Sequence, residues 1–497
     1  MVLPDIQGLE RLGTDTLASL RARLADAGWT DAFLGEAESL APQMLDRVRV
    51  PLVRAWLGER PGPAADLATL FGYRGAVSRA GVTVALGETL LAPLEQAGLL
   101  VANAAGELVA PFLLLPFGGQ WFLSDYLDGG GDVVMGPGMT TVLLHRAAPE
   151  LHGERVLDLG CGAGSLGIDA ARRGARVTLT DVSERALAIA RFNARLNGVE
   201  VVCRAGDVIE PVRDECFDLV LAQPPYVPAA GEGATTYLHG GRYGDELAMR
   251  FVAGAARVLA PGGVALLHFD SLVRTSEPLN ERLRAAVGEA PVDTLALVAP
   301  GAPPDVHAVL YAGVEHPALD DAYAAAVRVH HAHLTALGVA ETSRVLVVLR
   351  RPAHGEAPGG RYRIVRPSPP LAALRPGVIR EALVALDLAS GDGAGLRTCR
   401  LSPPEGAEFR GVWRSPADEA PARLEVTFGA GALAQGRELG DRGWLLYGLL
   451  DGRRTLEEAA AAFADELGLE PEAAGREVLG FARDALARGL LRLAPEA

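Results

Sequence analysis

Residues 155–167, RVLDLGCGAGSLG, limit the fold of this chain more than any other stretch. An apolar segment leads into glycines at alternate positions, Gly160, Gly162 and Gly164, and then into IDAARRG, which has helical character. Glycines at such spacing let the backbone approach a ligand closely and expose amides at a helix N-terminus. The pattern predicts strand, tight turn and helix, the opening unit of a doubly wound, mostly parallel sheet of the α/β class. Gly162, Gly164 and Gly167 also satisfy the dinucleotide fingerprint Gly-x-Gly-x-x-Gly, but that match begins inside the turn and not directly after the strand.

The same alternation continues over 127–352. Candidate strands are RVLDL, RVTLTD, EVVCRAGD, FDLVLA, GVALLHF, HAVLYAGV and RVLVVLR, with a helix around 318–337 before the last. They predict a seven-stranded sheet. Residues 1–126 read as a helical, winged-helix-like domain: PAADLATLF and VALGETLLAPLEQAG have helical spacing, and LLVANAAGELVAPFLLL suggests two short strands around an Asn-Ala-Ala-Gly turn. The Gly- and Pro-rich stretch 353–370 reads as a linker. A C-terminal domain, 371–497, ends in a winged-helix-like module at about 442–494. There Thr455 and Glu458 fit a capping box, and EAAGREVLGFARDALAR reads as a helix stopping at Gly489.

Composition narrows the function. The chain of 497 residues carries a net charge of −15, which argues against extended nucleic-acid binding. It has no lysine, a feature that coding bias explains. Cys161, Cys203, Cys216 and Cys399 are scattered without metal-ligand spacing, as expected of reduced thiols. His330, His331 and His333 share a predicted helix with no acidic or cysteine ligand nearby, so a solvated or substrate-facing helix is expected there and not a metal site. No apolar run reaches membrane-spanning length and no signal segment opens the sequence, so the expectation is a soluble cytoplasmic protein.

Three acids lie at or beside the ends of successive predicted strands. Asp181 ends RVTLTD about 20 residues beyond the glycine turn, where an acid can take both ribose hydroxyls of NAD or of S-adenosylmethionine. Asp158 lies inside the first strand, where a nicotinamide site has little use for charge but the ammonium of a methionine moiety does. Asp207, in RAGDV, is placed to accept the exocyclic amine of an adenine. The fourth strand runs into LAQPPYVP, and two prolines must end the ladder and stiffen the chain there.

The series DLGCGAG, TLTD, AGD and FDLVLAQPPY resembles class I S-adenosylmethionine-dependent methyltransferases. Within them it is most similar to the glutamine side-chain N-methyltransferases of translation release factors, which carry Asn-Pro-Pro-Tyr. GGRYGDEL, 240–247, resembles the Gly-Gly-x-x-Gly segment that follows the motif in those enzymes. The C-terminal LLDGRRTLEEAA resembles small winged-helix domains that bind leader peptides of ribosomally made natural products.

The resemblance implies a site at the sheet's switch point. Asp158, Gly160, Cys161, Gly162, Gly164, Asp181 and Asp207 would hold S-adenosylmethionine, and Thr140, in the loop MGPGMTT, would border its methionine end. Gln223 and the carbonyl of Pro224 would accept hydrogen bonds from the acceptor nitrogen, Pro225 would stiffen the turn, and Tyr226 would pack on the planar group. Gln in place of Asn adds one methylene and moves the acceptor oxygen by about 1 Å, enough to change a rate ~100-fold, so either the backbone retreats to compensate or the substrate differs from a glutamine side chain. The leading expectation is N-methylation of a peptide or protein side chain, including a ribosomal natural-product precursor. Methylation of a nucleobase or small metabolite, and a non-catalytic cofactor-sensing binding protein, are the alternatives. A nicotinamide oxidoreductase is the outside reading.

Overall fold

The computed structural model describes residues 3–494 except 43–45, 128–130, 230–237, 275–276, 317, 354–359, 366–370, 372–373, 375–376, 391–392, 416, 418, 420, 429–432 and 434–435. The chain forms two compact units. The first comprises 1–144, 150–294 and 301–362; the second comprises 145–149, 295–300 and 363–497.

The sheet strands are β1 (Arg155–Leu159), β2 (Arg176–Asp181), β3 (Val202–Ala205), β4 (Phe217–Ala222), β5 (Leu259–Val273), β6 (Asp293–Val298), β7 (Glu341–Arg350) and β8 (Tyr362–Val365). They form one eight-stranded sheet in the order β8-β6-β7-β5-β4-β1-β2-β3. β1 runs parallel to both β2 and β4, β4 is parallel to β5, and β7 is antiparallel to β5. β1 through β5 and β7 coincide with six expected strands. Apolar residues on both faces bury β1, β4 and β7 almost throughout, as a sheet covered by helices requires.

The seventh expected strand, HAVLYAGV, is instead a helix. With α1 (Ser165–Arg172), α2 (Glu184–Asn197) and α3 (Glu246–Val258) preceding it, this is α4 (Pro304–Glu315), and α5 (Asp321–Ala336) follows. Pro304 at the first helical position and Asp305 in the first turn start α4. Its buried residues, His307, Ala308, Tyr311 and Ala312, recur at helical spacing. Two strands that the pattern did not single out, β6 and β8, bring the sheet to eight. β8 falls within the stretch read as a linker, whose residues 354–359 and 366–370 lie outside the described residues.

Ahead of the sheet, Val101–Ala102 pairs with Leu108–Val109 around the Asn-Ala-Ala-Gly turn. A second hairpin pairs Leu113–Phe117 with Gln120–Ser124. Two asparagines on α2 complete that hairpin's edge as another strand would. Asn193 Oδ1 accepts from the Leu123 amide at 2.7 Å and its Nδ2 donates to the Leu123 carbonyl at 3.0 Å. Asn197 does the same for Trp121 at 3.0 and 2.8 Å. Arg185 of α2 is ion-paired with buried Asp125 at 2.6 Å and donates to the Pro4 carbonyl at 2.9 Å.

The second unit contains an antiparallel sheet of Ala407–Val412, Arg423–Phe428 and Arg437–Leu439, and helices that include Asp441–Leu449, Leu456–Leu467 and Pro471–Ala487. The capping box at Thr455 and Glu458 is present, with both reciprocal hydrogen bonds. Among the described residues no helix is long and apolar enough to cross a membrane.

Candidate functional site

Because β1 lies between β4 and β2, the glycine turn after β1, the acid at the end of β2 and the turn after β4 open on one edge of the sheet. They line a cavity of about 500 Å³. Asp158, Gly160, Cys161, Gly162, Asp181, Asp207, Thr140, Gln223, Pro224, Pro225 and Tyr226 all contribute to its wall. Gly164 is not part of the lining. It caps α1 at φ +77°, and a Cβ there would meet Ile168, Leu179 and Ala190 at 3.0–3.2 Å, so it serves the packing of α1 on the sheet.

The acids are held by main-chain amides. Asp158 Oδ2 accepts from the Gly167 amide at 2.8 Å, and Asp181 accepts from the amides of Gly162 and Ser183, each at 2.9 Å. Burial raises both carboxyls above the usual range. For Asp158, burial outweighs the Gly167 hydrogen bond, the charge of Asp181 adds to it, and the carboxyl is pushed up to about 7. Burial is also the largest cause for Asp181, opposed by the amides of Ser183 and Gly162. Asp207 is half-exposed and ion-paired with Arg250 of α3. Phe251, one residue on, lies where a Cβ at Gly160 would approach its ring to 2.9 Å, so the turn needs glycine there.

The turn after β4 is framed by backbone. Val227–Pro228 pairs in parallel with His239–Gly241, through Val227 N to Leu238 O at 2.9 Å and Ala229 N to Gly241 O at 2.8 Å. A Cβ on Gly240 would overlap the carbonyl oxygens of Pro225 and Gly244, and one on Gly244 would overlap that of Tyr226. The glycines of GGRYG therefore pack directly on the QPPY turn. Asp245, at the start of α3, is buried against Arg282 and accepts from Ser271 Oγ at 3.0 Å. Gln223 Nε2 donates to Thr140 Oγ1, so Thr140 engages the turn itself.

Beyond Tyr226 the wall carries polar residues that the sequence did not single out: Asp270 of β5, His307 and Tyr311 of α4, and Arg344 of β7. Asp270 and Arg344 are directly opposite in the β5–β7 ladder. His307 Nδ1 is 3.0 Å from the Tyr311 hydroxyl, which lies 3.5 Å from Asp270 Oδ2. Burial and the Arg344 charge lower His307 to about 4. Burial, with the charge of Asp270 next, raises the Tyr226 and Tyr311 phenols, so both stay neutral. Asp270 had a signal, a charged residue directly after the apolar run GVALLHF, much as Asp181 follows RVTLT. His307 and Tyr311 were concealed when α4 read as a strand.

The three histidines of α5 contact neighbouring groups. His330 Nε2 is 2.9 Å from Glu315, His331 Nδ1 is 2.8 Å from Asp305, and His333 Nε2 is 2.9 Å from the Arg242 carbonyl. His330 is buried and not solvated.

The donor set suits S-adenosylmethionine. Asp158 is buried with the Gly167 amide as its hydrogen-bond donor, which leaves it matched to an ammonium group. Thr180 Oγ1, also on the wall, is buried without a partner among the described residues.

Comparison with known proteins identifies the domain that contains the cavity. Residues 137–290 match the model of the methyltransferase small domain. A Methanocaldococcus jannaschii protein named for protein N5-glutamine methyl transfer is 31% identical over 151 residues, which cover 29% of this chain and 76% of that protein. The chain belongs to the methyltransferase small domain family. The release factor glutamine methyltransferase of Deinococcus radiodurans is 38% identical over 167 residues. That match covers 31% of this chain, which spans 59% of the length of the Deinococcus enzyme. A solved ribosomal protein L11 methylase from Lactobacillus delbrueckii subsp. bulgaricus overlaps 31% of this chain and 68% of its own, at 21% identity and a TM-score of 0.23. In this methyltransferase domain the matched segment contains the glycine turn, the three acids, Gln223 to Tyr226, and Asp270.

Proposed function

We propose that the chain is an S-adenosylmethionine-dependent methyltransferase that N-methylates a side chain of a peptide or protein. The observation that carries this reading is the shared cavity: acids suited to the donor and the QPPY turn line one space. Asp158 would hold the donor's ammonium group, Asp181 its ribose hydroxyls and Asp207 its adenine amine, with the glycine turn against its backbone side. When bound, S-adenosylmethionine supplies an electrophilic methyl group.

The protein's own contribution is orientation and electrostatics. Gln223 Oε1 and the Pro224 carbonyl accept the N–H groups of the substrate and fix the direction of its nitrogen lone pair. The ring of Tyr226 supports the planar group. Holding two reactants in such a geometry supplies several kcal/mol toward the barrier, on the order of 7–11 in favourable cases. The C-terminal domain, with its resemblance to leader-peptide binders, recruits the peptide. The cysteines are free thiols, which suits a reducing, cytoplasmic compartment.

The test incubates the full chain with methyl-tritiated S-adenosylmethionine and, separately, a bacterial release factor, a candidate precursor peptide and bulk RNA. Label is expected on the release factor or the peptide. Label on RNA alone would overturn the peptide reading, and calorimetric binding of NAD in place of S-adenosylmethionine would overturn the methyltransferase reading.

A further inference from the structure

The acceptor end of the cavity contains one carboxylate whose position the orienting role of the QPPY turn does not explain. Asp270 is 6% exposed. Its Oδ1 has no hydrogen-bond partner among the described residues, and its nearest cation, Arg344 Nε, is 4.0 Å away. The residue forms part of the cavity wall beside Tyr226 and Tyr311, which pack in one cluster with Val227, Leu238 and Val314. A buried acceptor atom without a donor is costly to maintain unless a ligand supplies one.

Methylation of nitrogen also creates a proton that has to leave. We propose that Asp270 is the proton acceptor of the transfer, its Oδ1 taking the proton from the substrate nitrogen that Gln223 and Pro224 orient. This rests on the methyl-transfer reading given above. The nitrogen forms its N–C bond as the donor's S–C bond breaks with the electron pair left on sulfur. The N–H bond then breaks toward Asp270, which becomes a neutral carboxylic acid and later releases the proton to water.

The groups around Asp270 leave it this role. Tyr226 and Tyr311 remain neutral phenols and are not bases at neutral pH. His307 is lowered to about 4 by burial and Arg344, and it is already bonded to Tyr311. His268, two residues earlier on β5, is buried and lowered to about 3 by burial and the charge of Arg344. Burial lifts Asp270 to about 6 against the opposing charge of Arg344 and the Tyr311 hydrogen bond. A base poised just below neutral pH is ionised in the cell and still basic enough to accept a proton. The matching substrate class is a nitrogen whose lone pair is delocalised and whose N–H must be removed: a carboxamide, guanidinium or ring N–H.

Two readouts test this on the full chain. The first is carbon-13 NMR of aspartate carboxyls with S-adenosylhomocysteine added, the Asp270 signal being assigned by its loss in Asp270→Asn. Titration near pH 6 is expected, and titration below about 4.5 would overturn the proposal. The second uses whichever of the release factor or peptide accepts label. Asp270→Asn is expected to lower kcat ~100-fold and to remove the acid limb of the pH profile, with the S-adenosylmethionine Kd unchanged. Formate is expected to restore part of the rate in Asp270→Ala, which a purely structural role would not allow. A kcat within threefold of wild type with the limb intact would overturn the proposal. If the wild type binds S-adenosylmethionine yet labels neither acceptor, the peptide-methylation reading is what fails, and the carboxyl titration decides the role of Asp270 alone.

Discussion

The side-chain nitrogen of Gln223 donates a hydrogen bond to Oγ1 of Thr140, tying the head of the QPPY turn to the first turn of the helix Met139–Ala147 on the cavity wall. With the amide nitrogen engaged, Oε1 is the atom left to accept from a substrate. Gln223→Ala is expected to lower methyl transfer ~100-fold, the cost of a misaligned nucleophile, without changing the S-adenosylmethionine Kd in calorimetry. Gln223→Asn, too short to reach Thr140, is expected to fall between the two. Full activity in the Ala variant would remove Gln223 from the acceptor role.

Asp158 makes the ligand-free protein sensitive to base. Its folded value of about 7 lies above the carboxyl's ordinary 3.8, so the folded state binds more protons between those pH values. Stability is therefore complete below about pH 4 and is lost as pH rises through 7, by up to about 4 kcal/mol. Asp158→Asn is expected to raise the melting temperature of the free protein at pH 8 and to leave it nearly unchanged near pH 3.5, below the ordinary carboxyl value. The same variant should weaken S-adenosylmethionine binding at least ~10-fold, through loss of one charge-assisted contact. Thermal melts at the two pH values, with and without donor, check both signs.

Asn193 also donates to the Ala163 carbonyl at 2.9 Å, so one buried side chain joins the hairpin, α2 and the glycine turn. Replacement by Ala leaves the Leu123 amide and carbonyl without these partners. The expected loss is about 2–4 kcal/mol, in line with several broken buried hydrogen bonds. Urea denaturation would show a lower midpoint at constant slope, and an unchanged midpoint would contradict the bridging role.

Gly240→Ala drives a methyl group into the carbonyls of Pro225 and Gly244. The turn must then move, and a displacement near 1 Å costs ~100-fold in rate. Because Gly240 is absent from the cavity lining, the S-adenosylmethionine Kd is expected to stay within threefold. An equal loss of binding and rate would show instead that the whole cavity had collapsed.

The sequence was most informative where one local rule sufficed. An apolar run followed by Gly160 and Gly162 has few folded forms, and β1 and α1 follow from it. Thr455 and Glu458 likewise specify their helix start through two short-range hydrogen bonds. Residues 307–314 misled because alternating β-branched and small residues fit either a strand or a buried helix, and the deciding signal, Pro304 with Asp305, lay outside the run. β6, bounded by Pro291 and Pro300, has the flanks of a strand, and its short apolar run competes with residues 307–314 for the same place in the pattern. The Asp270 group was beyond local reasoning. It is assembled from β5, α4 and β7, elements whose meeting depends on strand order and not on any spacing along the chain.

The glycines behind the QPPY turn also bear on how such a site can change. Main-chain contacts through Gly240 and Gly244 constrain the path of residues 225–228, while the side chain at 223 reaches Thr140 and the cavity and makes none of those contacts. Shape and chemical preference are thus carried by separate residues. A lineage can exchange the amide at that position, lengthening or shortening its reach, while the loop beneath stays in place. Under the acceptor role proposed for Gln223, acceptor choice becomes the part of this enzyme most open to divergence by single substitutions.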